Sequence, residues 1–270
     1  MGIADLTPGI SGGTVAFISG IYEELLESIK NLQLNSFKKI AWPFLLPLGA
    51  GIGTAILLFS KVVYFLLHHY TAPLLGFLFG LILASIFIYA RSAGLFGRSG
   101  RLERPLNWVA LGSGAMLSYG LTILPCHPLF EAHFLWILLA GMLGVGGMLL
   151  PGISGSYILQ IIGVYPLVIS ALNSPEAPGS LKLLIAMGMG IALGFIIFSR
   201  MISFLLIHFQ KITTASLVGV MVGGLKVLWP FGRGALLWPF FCACAGFVVI
   251  IALELSMKRA RRRAHVHSEI

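Results

Sequence analysis

The chain has 270 residues, of which 58% are hydrophobic and only 10% are charged, and its formal net charge is +9. A soluble domain carries about 25% charged residues, and a soluble protein of this length could not bury so much apolar side chain, so lipid must surround most of the chain. The composition therefore excludes a water-soluble protein, and the positive charge does not indicate a nucleic-acid partner.

Membrane-spanning helices are the main predicted elements. A helix needs about 20 mostly apolar residues to cross the hydrocarbon core of a bilayer. Residues 8–29 are less apolar and start with Pro and Gly, whereas eight later segments are apolar: 40–69, 73–90, 106–124, 134–150, 152–172, 181–208, 213–229 and 235–257. The prediction is a polytopic, all-α membrane protein whose first long span tilts or breaks at Pro43 or Pro47.

The distribution of positive charge predicts the topology. Lysine and arginine are concentrated in three stretches, namely 30–39, 91–104 and 258–270. Positive residues stay on the cytoplasmic side, so these stretches should be cytoplasmic, and the tail could also contact anionic membrane lipids. The turn 68–73 and the segment 173–180 contain no Lys or Arg and should face outside. Segments 40–69 and 181–208 are therefore predicted to cross in opposite directions.

An internal repeat is the most informative feature of the sequence. Residues 8–22 read PGISGGTVAFISGIY and residues 151–165 read PGISGSYILQIIGVY, so eight of fifteen positions are identical. The match continues in two further blocks, 49–70 with 188–209 and Gly76-x-x-x-Gly80 with Gly219-x-x-x-Gly223. Ordered matches of this kind indicate a tandem duplication, and the glycine pairs predict closely packed helices.

The two halves are predicted to be inverted repeats, because matched spans cross in opposite directions. The first repeat is 1–130, with a re-entrant segment 1–29 and the spans 40–69, 73–90 and 106–124. The second repeat is 131–257, with a re-entrant hairpin 134–172 and the spans 181–208, 213–229 and 235–257; residues 258–270 form a basic cytoplasmic tail. Many secondary transporters have this architecture, with the substrate site near the midplane at the repeat interface.

The Pro-Gly-Ile-Ser-Gly sequence occurs once in each half, at 8–12 and 151–155, and we call residues 8–14 the first motif and the matched residues 151–157 the second motif. Proline and glycine disfavour a regular helix, so each motif should form the tip of a hairpin that is buried in protein or lines a cavity. The helix after each tip presents unpaired amides and the positive end of its dipole, which suit a phosphate. The predicted phosphate-binding residues are Pro8, Gly9, Ser11, Gly12, Gly13, Thr14, Pro151, Gly152, Ser154, Gly155 and Ser156. A purely structural alternative is a tight turn with a serine cap, but the second copy favours the functional interpretation.

Three charged residues lie where lipid or protein should surround them. Lys61 and Arg200 align in the repeat and lie inside their spans, so both are predicted to neutralise the phosphate; snorkelling towards an interface is the alternative. Asp5 precedes the first motif, aligns with Met148, and is the candidate to carry a coupling ion, either a proton or sodium. The sequence predicts no catalytic residue and no cofactor. It also predicts no metal site, because its one Cys-x-Cys lies in an apolar run without a second pair of ligands.

The string ADLTPGISGGTVAFISGIYEELLESI at 4–29, together with the second motif, resembles the polyprenyl-phosphate translocase family of bacterial inner membranes, long catalogued as a domain of unknown function. The resemblance covers nearly the whole chain and implies transport of undecaprenyl phosphate from the outer to the cytoplasmic leaflet, which recycles the carrier of peptidoglycan and other envelope polymers. The positions that carry over are Asp5, Pro8, Gly9, Ser11, Gly12, Gly13, Thr14, Pro151, Gly152, Ser154 and Gly155. Members usually have an upstream stretch, so the first hairpin arm is expected to be missing or very short here.

Two other functions share these sequence features. Undecaprenyl-pyrophosphate phosphatases also have inverted repeats and a Pro-Gly-x-Ser motif, but an Arg follows their Ser where this chain has Gly12 and Gly155. Glu23 and Glu27 have a Glu-x-x-x-Glu spacing but follow the motif, so phosphoryl chemistry lacks its Arg and a well-placed acid and base. A transporter of small soluble anions would use the same tips and cations, and the sequence does not separate it from a lipid transporter. The sequence does not indicate an oligomeric state.

Overall fold

The computed structural model describes residues 1–5, 11–32, 41–96, 103–125, 129, 133–230 and 237–268. The described residues form helices and no strand, which confirms the all-α prediction. The helices are α1 (Gly2–Asp5), α2 (Gly12–Ile18), α3 (Tyr22–Leu32), α4 (Trp42–His69), α5 (Thr71–Ser92), α6 (Glu103–Ile123), α7 (Phe134–Leu149), α8 (Gly155–Ile162), α9 (Tyr165–Asn173), α10 (Ser180–His208), α11 (Gln210–Gly224) and α12 (Leu237–Ser268).

Four helices of the described chain are long and apolar enough to cross a membrane: Trp42–His69, Thr71–Arg91, Ser180–His208 and Leu237–Ser256. They correspond to four of the predicted spans, and α4 continues through Pro47 without breaking. The predicted span 106–124 coincides with α6, whereas the predicted span 213–229 extends five residues past the end of α11 at Gly224, and neither helix is among these candidates. At 1.5 Å per residue, the 15 residues of α11 extend only about 22 Å, so the membrane passage of this part stays a prediction.

The arm that follows the second motif is bent. Helices α8 and α9 meet at 106°, so the predicted segment 152–172 is two short helices rather than one. The bend occurs at Gly163, which has a φ of +85° and ends α8 in a left-handed conformation. In the first half, Gly20 has a φ of +74° and separates α2 from α3. Glycine adopts this conformation without the steric penalty of a side chain, so identical residues of the repeat break the chain at matched places.

Local geometry is also the same at other matched positions. Tyr70 ends α4 with φ −131° and ψ 40°, and Phe209 ends α10 with φ −133° and ψ 45°. Just before these ends, the rings of His69 and His208 each contact the carbonyl of the residue four positions earlier, at 3.1 and 3.0 Å. The ends of α4 and α10, which match in the sequence repeat, therefore have the same local geometry.

The halves are joined by crossed helix pairs. Helix α5 packs along α12, and its repeat counterpart α11 packs along α6. A Cβ added at Gly80 would clash with the backbone of α12, and one added at Gly223 would clash with the backbone of α6. The prediction that the two Gly-x-x-x-Gly sequences allow close helix packing is confirmed, since only glycine lets the backbones approach this closely.

A buried core lies beside the first motif. Phe17 of α2 and Leu26 of α3 pack into one cluster with Leu149 of α7 and Met221 of α11. The buried phenol of Tyr22 donates a hydrogen bond of 2.7 Å to the Leu149 carbonyl, so its polar group is satisfied within this core. These contacts hold the end of α7, which leads into the second motif, against the start of the chain.

Candidate functional site

The two motifs meet in the folded chain. The backbone amide of Gly152 donates a hydrogen bond of 3.0 Å to the hydroxyl of Thr14, which is fully buried. Gly152 has a φ of +93°, and a Cβ there would lie 2.7 Å from the Cα of Met221. Its conformation and its contact with α11 therefore both require glycine. On the other side, a Cβ at Gly13 would meet the carbonyl of Met148, so the first motif is in backbone contact with the approach to the second.

Ser11 starts helix α2 as its N-cap. The Ser11 side chain accepts a hydrogen bond of 3.3 Å from the Thr14 amide, and the Thr14 hydroxyl accepts one of 3.4 Å from the Ser11 amide. This reciprocal arrangement is a capping box, which satisfies two helix-terminal donors at once. Ser11 and Thr14 are both buried. The hydroxyl of Thr14 therefore serves both the cap of its own helix and the contact with Gly152.

A cavity of about 380 Å³ lies between the two motifs, and we call it the central cavity. Its polar side groups come from Asp5 and from the serines of both motifs. Apolar side chains of α4, α7, α8 and α10 make the rest of its wall. The lining residues are Asp5, Ser11, Ile52, Ile56, Gly141, Gly144, Val145, Met148, Ser154, Gly155, Ser156, Leu159, Met187 and Ile191. A cavity lined by a few polar groups from the motifs and otherwise by apolar side chains suits an amphiphile.

Matched residues of the two halves line this cavity in pairs. Ser11 and Ser154 occupy the same place in the repeated motif, and each lines the cavity. The same holds for Ile52 of α4 and its counterpart Ile191 of α10. A third matched pair, Asp5 and Met148, also lines the cavity. The central cavity therefore lies at the interface of the two halves, where a transporter built from repeats places its substrate.

The second motif offers polar groups to the cavity. The hydroxyls of Ser154 and Ser156 lie 2.8 Å apart, and Ser154 makes no side-chain capping bond to helix α8. No acceptor for the Gly155 amide is found among the residues that the structure describes. Unpaired amides at the start of a helix carry partial positive charge. Together with the two hydroxyls, the Gly155 amide can donate hydrogen bonds to phosphate oxygens.

Asp5 occupies the corresponding place beside the first motif. Its Oδ1 accepts a hydrogen bond of 2.6 Å from the Gly12 amide. The surrounding protein withdraws the carboxyl from water and raises the pKa of Asp5, and this effect outweighs the hydrogen bond from Gly12, which lowers it. Asp5 lies outside the helices that are candidates to span the membrane. The first motif thus already holds an anion that belongs to the protein.

The structure assembles only part of the predicted set of site residues. Ser11, Ser154, Gly155 and Ser156 line the central cavity, Gly12 contacts Asp5, and Gly13, Thr14 and Gly152 join the motifs. Pro151 is fully buried behind them. Pro8 and Gly9 lie outside the described residues. Lys61 and Arg200 are exposed on α4 and α10 and do not line the cavity, so their role at the phosphate stays a prediction.

The apolar wall was missed by the sequence-based prediction, although a signal for it existed. Gly51-Ile52 and Gly190-Ile191 are identical dipeptides at matched positions, and both isoleucines line the cavity. Met148 also lines the cavity, although the internal repeat indicates it only as the counterpart of Asp5. Within the described residues, no group of three His, Cys, Asp or Glu side chains could hold a metal ion.

Comparisons with known proteins agree with this geometry. Residues 1–238 match the family described as "Undecaprenyl phosphate translocase-like". A protein of Vibrio cholerae named "Polyprenyl-phosphate transporter" is 36% identical over 244 residues, which cover 86% of this chain and 75% of that protein. A protein of the same name from Staphylococcus aureus is 30% identical over 273 residues, which cover 96% of this chain and 93% of that protein. No solved structure matches the chain significantly. The chain is a membrane protein with several spanning helices, and it belongs to the undecaprenyl phosphate translocase-like family.

Proposed function

We propose that this protein transports polyprenyl phosphate, with undecaprenyl phosphate as its substrate, between the leaflets of the bacterial inner membrane. The observation that carries the proposal is the central cavity, which both halves line with matched residues and which is polar at the motifs and apolar elsewhere. The names of the relatives from Vibrio cholerae and Staphylococcus aureus support the choice of substrate. A lipid phosphate has the same division into a charged head and an apolar tail.

The phosphate binds at the second motif in this proposal. Ser154 and Ser156 supply hydroxyls 2.8 Å apart, and the Gly155 amide, which has no acceptor among the described residues, supplies a further donor. The isoprenoid tail extends along the apolar residues of α4 and α10, which include Ile52 and Ile191. Moving a charged head group through hydrocarbon is the costly part of the reaction, and the protein lowers that cost by replacing water with these donors.

The proposed direction, from the outer to the cytoplasmic leaflet, is the one that the resemblance to the translocase family implies, and the proposed topology allows it. The basic linkers 30–39 and 91–104 and the tail 258–270 are placed in the cytoplasm by the distribution of positive charge. Helices α4 and α10 then cross in opposite directions, so the halves are inverted repeats that exchange conformations to open the cavity to each side in turn. Transport from the outer to the cytoplasmic leaflet returns the lipid carrier for reuse.

Lys61 and Arg200 act at a different step from the serines. They lie at matched positions on α4 and α10, beyond the residues of each helix that line the cavity. At 1.5 Å per residue, Lys61 is about 7–8 Å along α4 from Ile56. We propose that the two cations guide the phosphate towards or away from the cavity. We propose that Asp5 binds a coupling ion, either a proton or sodium.

Transport is also proposed to proceed without hydrolysis. The family is named for transport, and an Arg next to the motif serine, which phosphatases use, is replaced here by Gly12 and Gly155. Release of inorganic phosphate from undecaprenyl pyrophosphate by the purified protein would contradict this. A soluble-anion transporter would bind inorganic phosphate in competition with the lipid, whereas the proposal predicts that millimolar inorganic phosphate leaves lipid binding unchanged.

The direct test is leaflet exchange in proteoliposomes that contain a labelled polyprenyl phosphate. Wild-type protein should move the label between leaflets faster than liposomes without protein. Replacement of the two cavity serines of the second half, Ser154→Ala with Ser156→Ala, should abolish this acceleration. Equal rates with and without the wild-type protein would overturn the proposed function.

A further inference from the structure

Asp5 and Met148 hold equivalent places in the two halves. A Cβ added at Gly12 would lie 2.7 Å from the Asp5 carboxylate, and a Cβ added at the matched Gly155 would lie 3.2 Å from the Met148 Cβ. Both residues line the central cavity. The chain therefore carries an anion at this place in the first half and an uncharged thioether in the second.

This difference determines which amides are open to a ligand. In the first half, Gly12 donates to the Asp5 carboxylate at 2.6 Å, and Ser11 and Thr14 are hydrogen-bonded to each other. In the second half, the Gly155 amide has no acceptor among the described residues. The Gly12 amide is therefore used within the protein, whereas the matched Gly155 amide is left for a substrate beside the hydroxyls of Ser154 and Ser156, which pair with each other.

We propose that Asp5 is an internal anion, which occupies in the first half the place that the phosphate of the substrate occupies in the second, and that its charge opposes phosphate binding in the central cavity. This proposal rests on the proposed function, because it takes a lipid phosphate as the ligand. It makes the site one-sided: the second motif holds the phosphate, and Asp5 sets how tightly the phosphate is held.

The electrostatic consequence is a competition between two negative charges in one cavity. A like charge nearby disfavours ionisation of a carboxyl, so a bound phosphate favours the protonated form of Asp5. The amino group of Met1 favours the charged form of Asp5 and so lowers the pKa of Asp5. The cations Lys61, Lys182 and Arg200 belong to α4 and α10, and none of them lines the cavity. The pKa of Asp5 is already raised by the surrounding protein. Phosphate should therefore bind more tightly at pH values below this pKa and more weakly above it.

Binding of farnesyl phosphate, a short prenyl phosphate, to the purified full chain over a range of pH tests this proposal. A coupling of about one pK unit between the two charges corresponds to a tenfold change in affinity. Asp5→Asn keeps an acceptor for the Gly12 amide but removes the charge, so it should bind about tenfold more tightly than wild type at alkaline pH. The phosphate itself titrates near pH 6, and that titration remains in Asp5→Asn, so the difference between the two profiles isolates Asp5. Asp5→Glu should keep the wild-type pH dependence.

The repeat offers a matched variant in the other half. Met148→Asp places a carboxylate beside Gly155, where the proposal puts the phosphate, and should weaken binding about tenfold or more relative to the uncharged variant Met148→Asn. Identical profiles for wild type and Asp5→Asn, or unchanged affinity in Met148→Asp, would overturn the inference while wild-type binding still supports the function. Absence of farnesyl phosphate binding by wild type at every pH would instead overturn the proposed function.

Discussion

The hydroxyl of Thr14 accepts a hydrogen bond of 3.0 Å from the backbone amide of Gly152, and this bond joins the two motifs across 138 positions of sequence. The same hydroxyl accepts from the Ser11 amide at 3.4 Å. One buried side chain thus links the cap of α2 to the tip of the opposite hairpin. Any movement of one half relative to the other must either carry both motifs together or break this bond.

Replacing Thr14 by valine should destabilise the protein. Valine has nearly the same shape but no acceptor, so the buried amides of Ser11 and Gly152 lose a partner, at about 1–3 kcal/mol for each donor left unsatisfied. Thr14→Ser keeps the hydroxyl and is the matched control. In detergent, the apparent melting temperature of Thr14→Val should fall by roughly 3–10 °C and that of Thr14→Ser by less. Equal melting of Thr14→Val and wild type would show that the bond does not hold the motifs.

Gly152→Ala should be among the most damaging single substitutions. Alanine disfavours the left-handed backbone by about 1–2 kcal/mol, and its Cβ would overlap the backbone of α11 at Met221. Gly188 provides a contrast, since a Cβ there meets nothing within 4 Å. Gly188→Ala should leave the amount of folded protein unchanged in fluorescence-detected size exclusion, whereas Gly152→Ala should reduce it. Similar yields for both variants would contradict the assigned backbone constraint.

The crossed helix pairs predict equal sensitivity at matched glycines. Gly80→Ala should separate α5 from α12, and Gly223→Ala should separate α11 from α6, because each new methyl group meets the backbone of the opposing helix. Both variants should lower the apparent melting temperature to a similar extent. Gly112 of α6 has no atom within 4 Å of an added Cβ, so Gly112→Ala serves as the control and should melt like wild type. A stable Gly223→Ala beside an unstable Gly80→Ala would contradict the matched packing.

Lys61→Ala and Arg200→Ala should each abolish leaflet exchange in proteoliposomes and leave the fold intact. Both side chains are exposed and neither lines the central cavity, so thermal stability and binding of farnesyl phosphate should be preserved. Lys182→Ala removes another exposed cation of α10 and should retain transport. Wild-type exchange rates in Lys61→Ala and Arg200→Ala would remove these two cations from the mechanism.

Hydropathy and the repeat were sufficient to predict much of the fold. The long apolar runs correspond to α4, α5, α10 and α12, since length and hydropathy are local properties of sequence. The glycine pairs of α5 and α11 predicted close packing, because small residues at this spacing have few other uses in a membrane helix. The bend at Gly163 was not predicted, although Gly20 and Gly163 are identical in the repeat and both have positive φ.

The site was predictable in its polar part and not in its electrostatics. Ser11 and Ser154 were identified from the repeat alone, and both line the cavity. The hydrogen bond between Asp5 and Gly12 depends on how the fold brings these two residues together, which the pattern of residues does not specify. The distance of Lys61 from the cavity depends on the position of α4 along the helices that it packs against. That position is set by tertiary packing rather than by the pattern of residues.

A structure of the protein with undecaprenyl phosphate bound is the measurement that tests the shared cavity most directly. The account predicts density for the phosphate within hydrogen-bonding distance of Ser154 and Ser156, with the tail running past Ile52 and Ile191. Asp5 should remain at Gly12 on the opposite side of the same cavity. Phosphate density away from the second motif, for example beside Lys61 and Arg200 with the central cavity empty, would contradict the account.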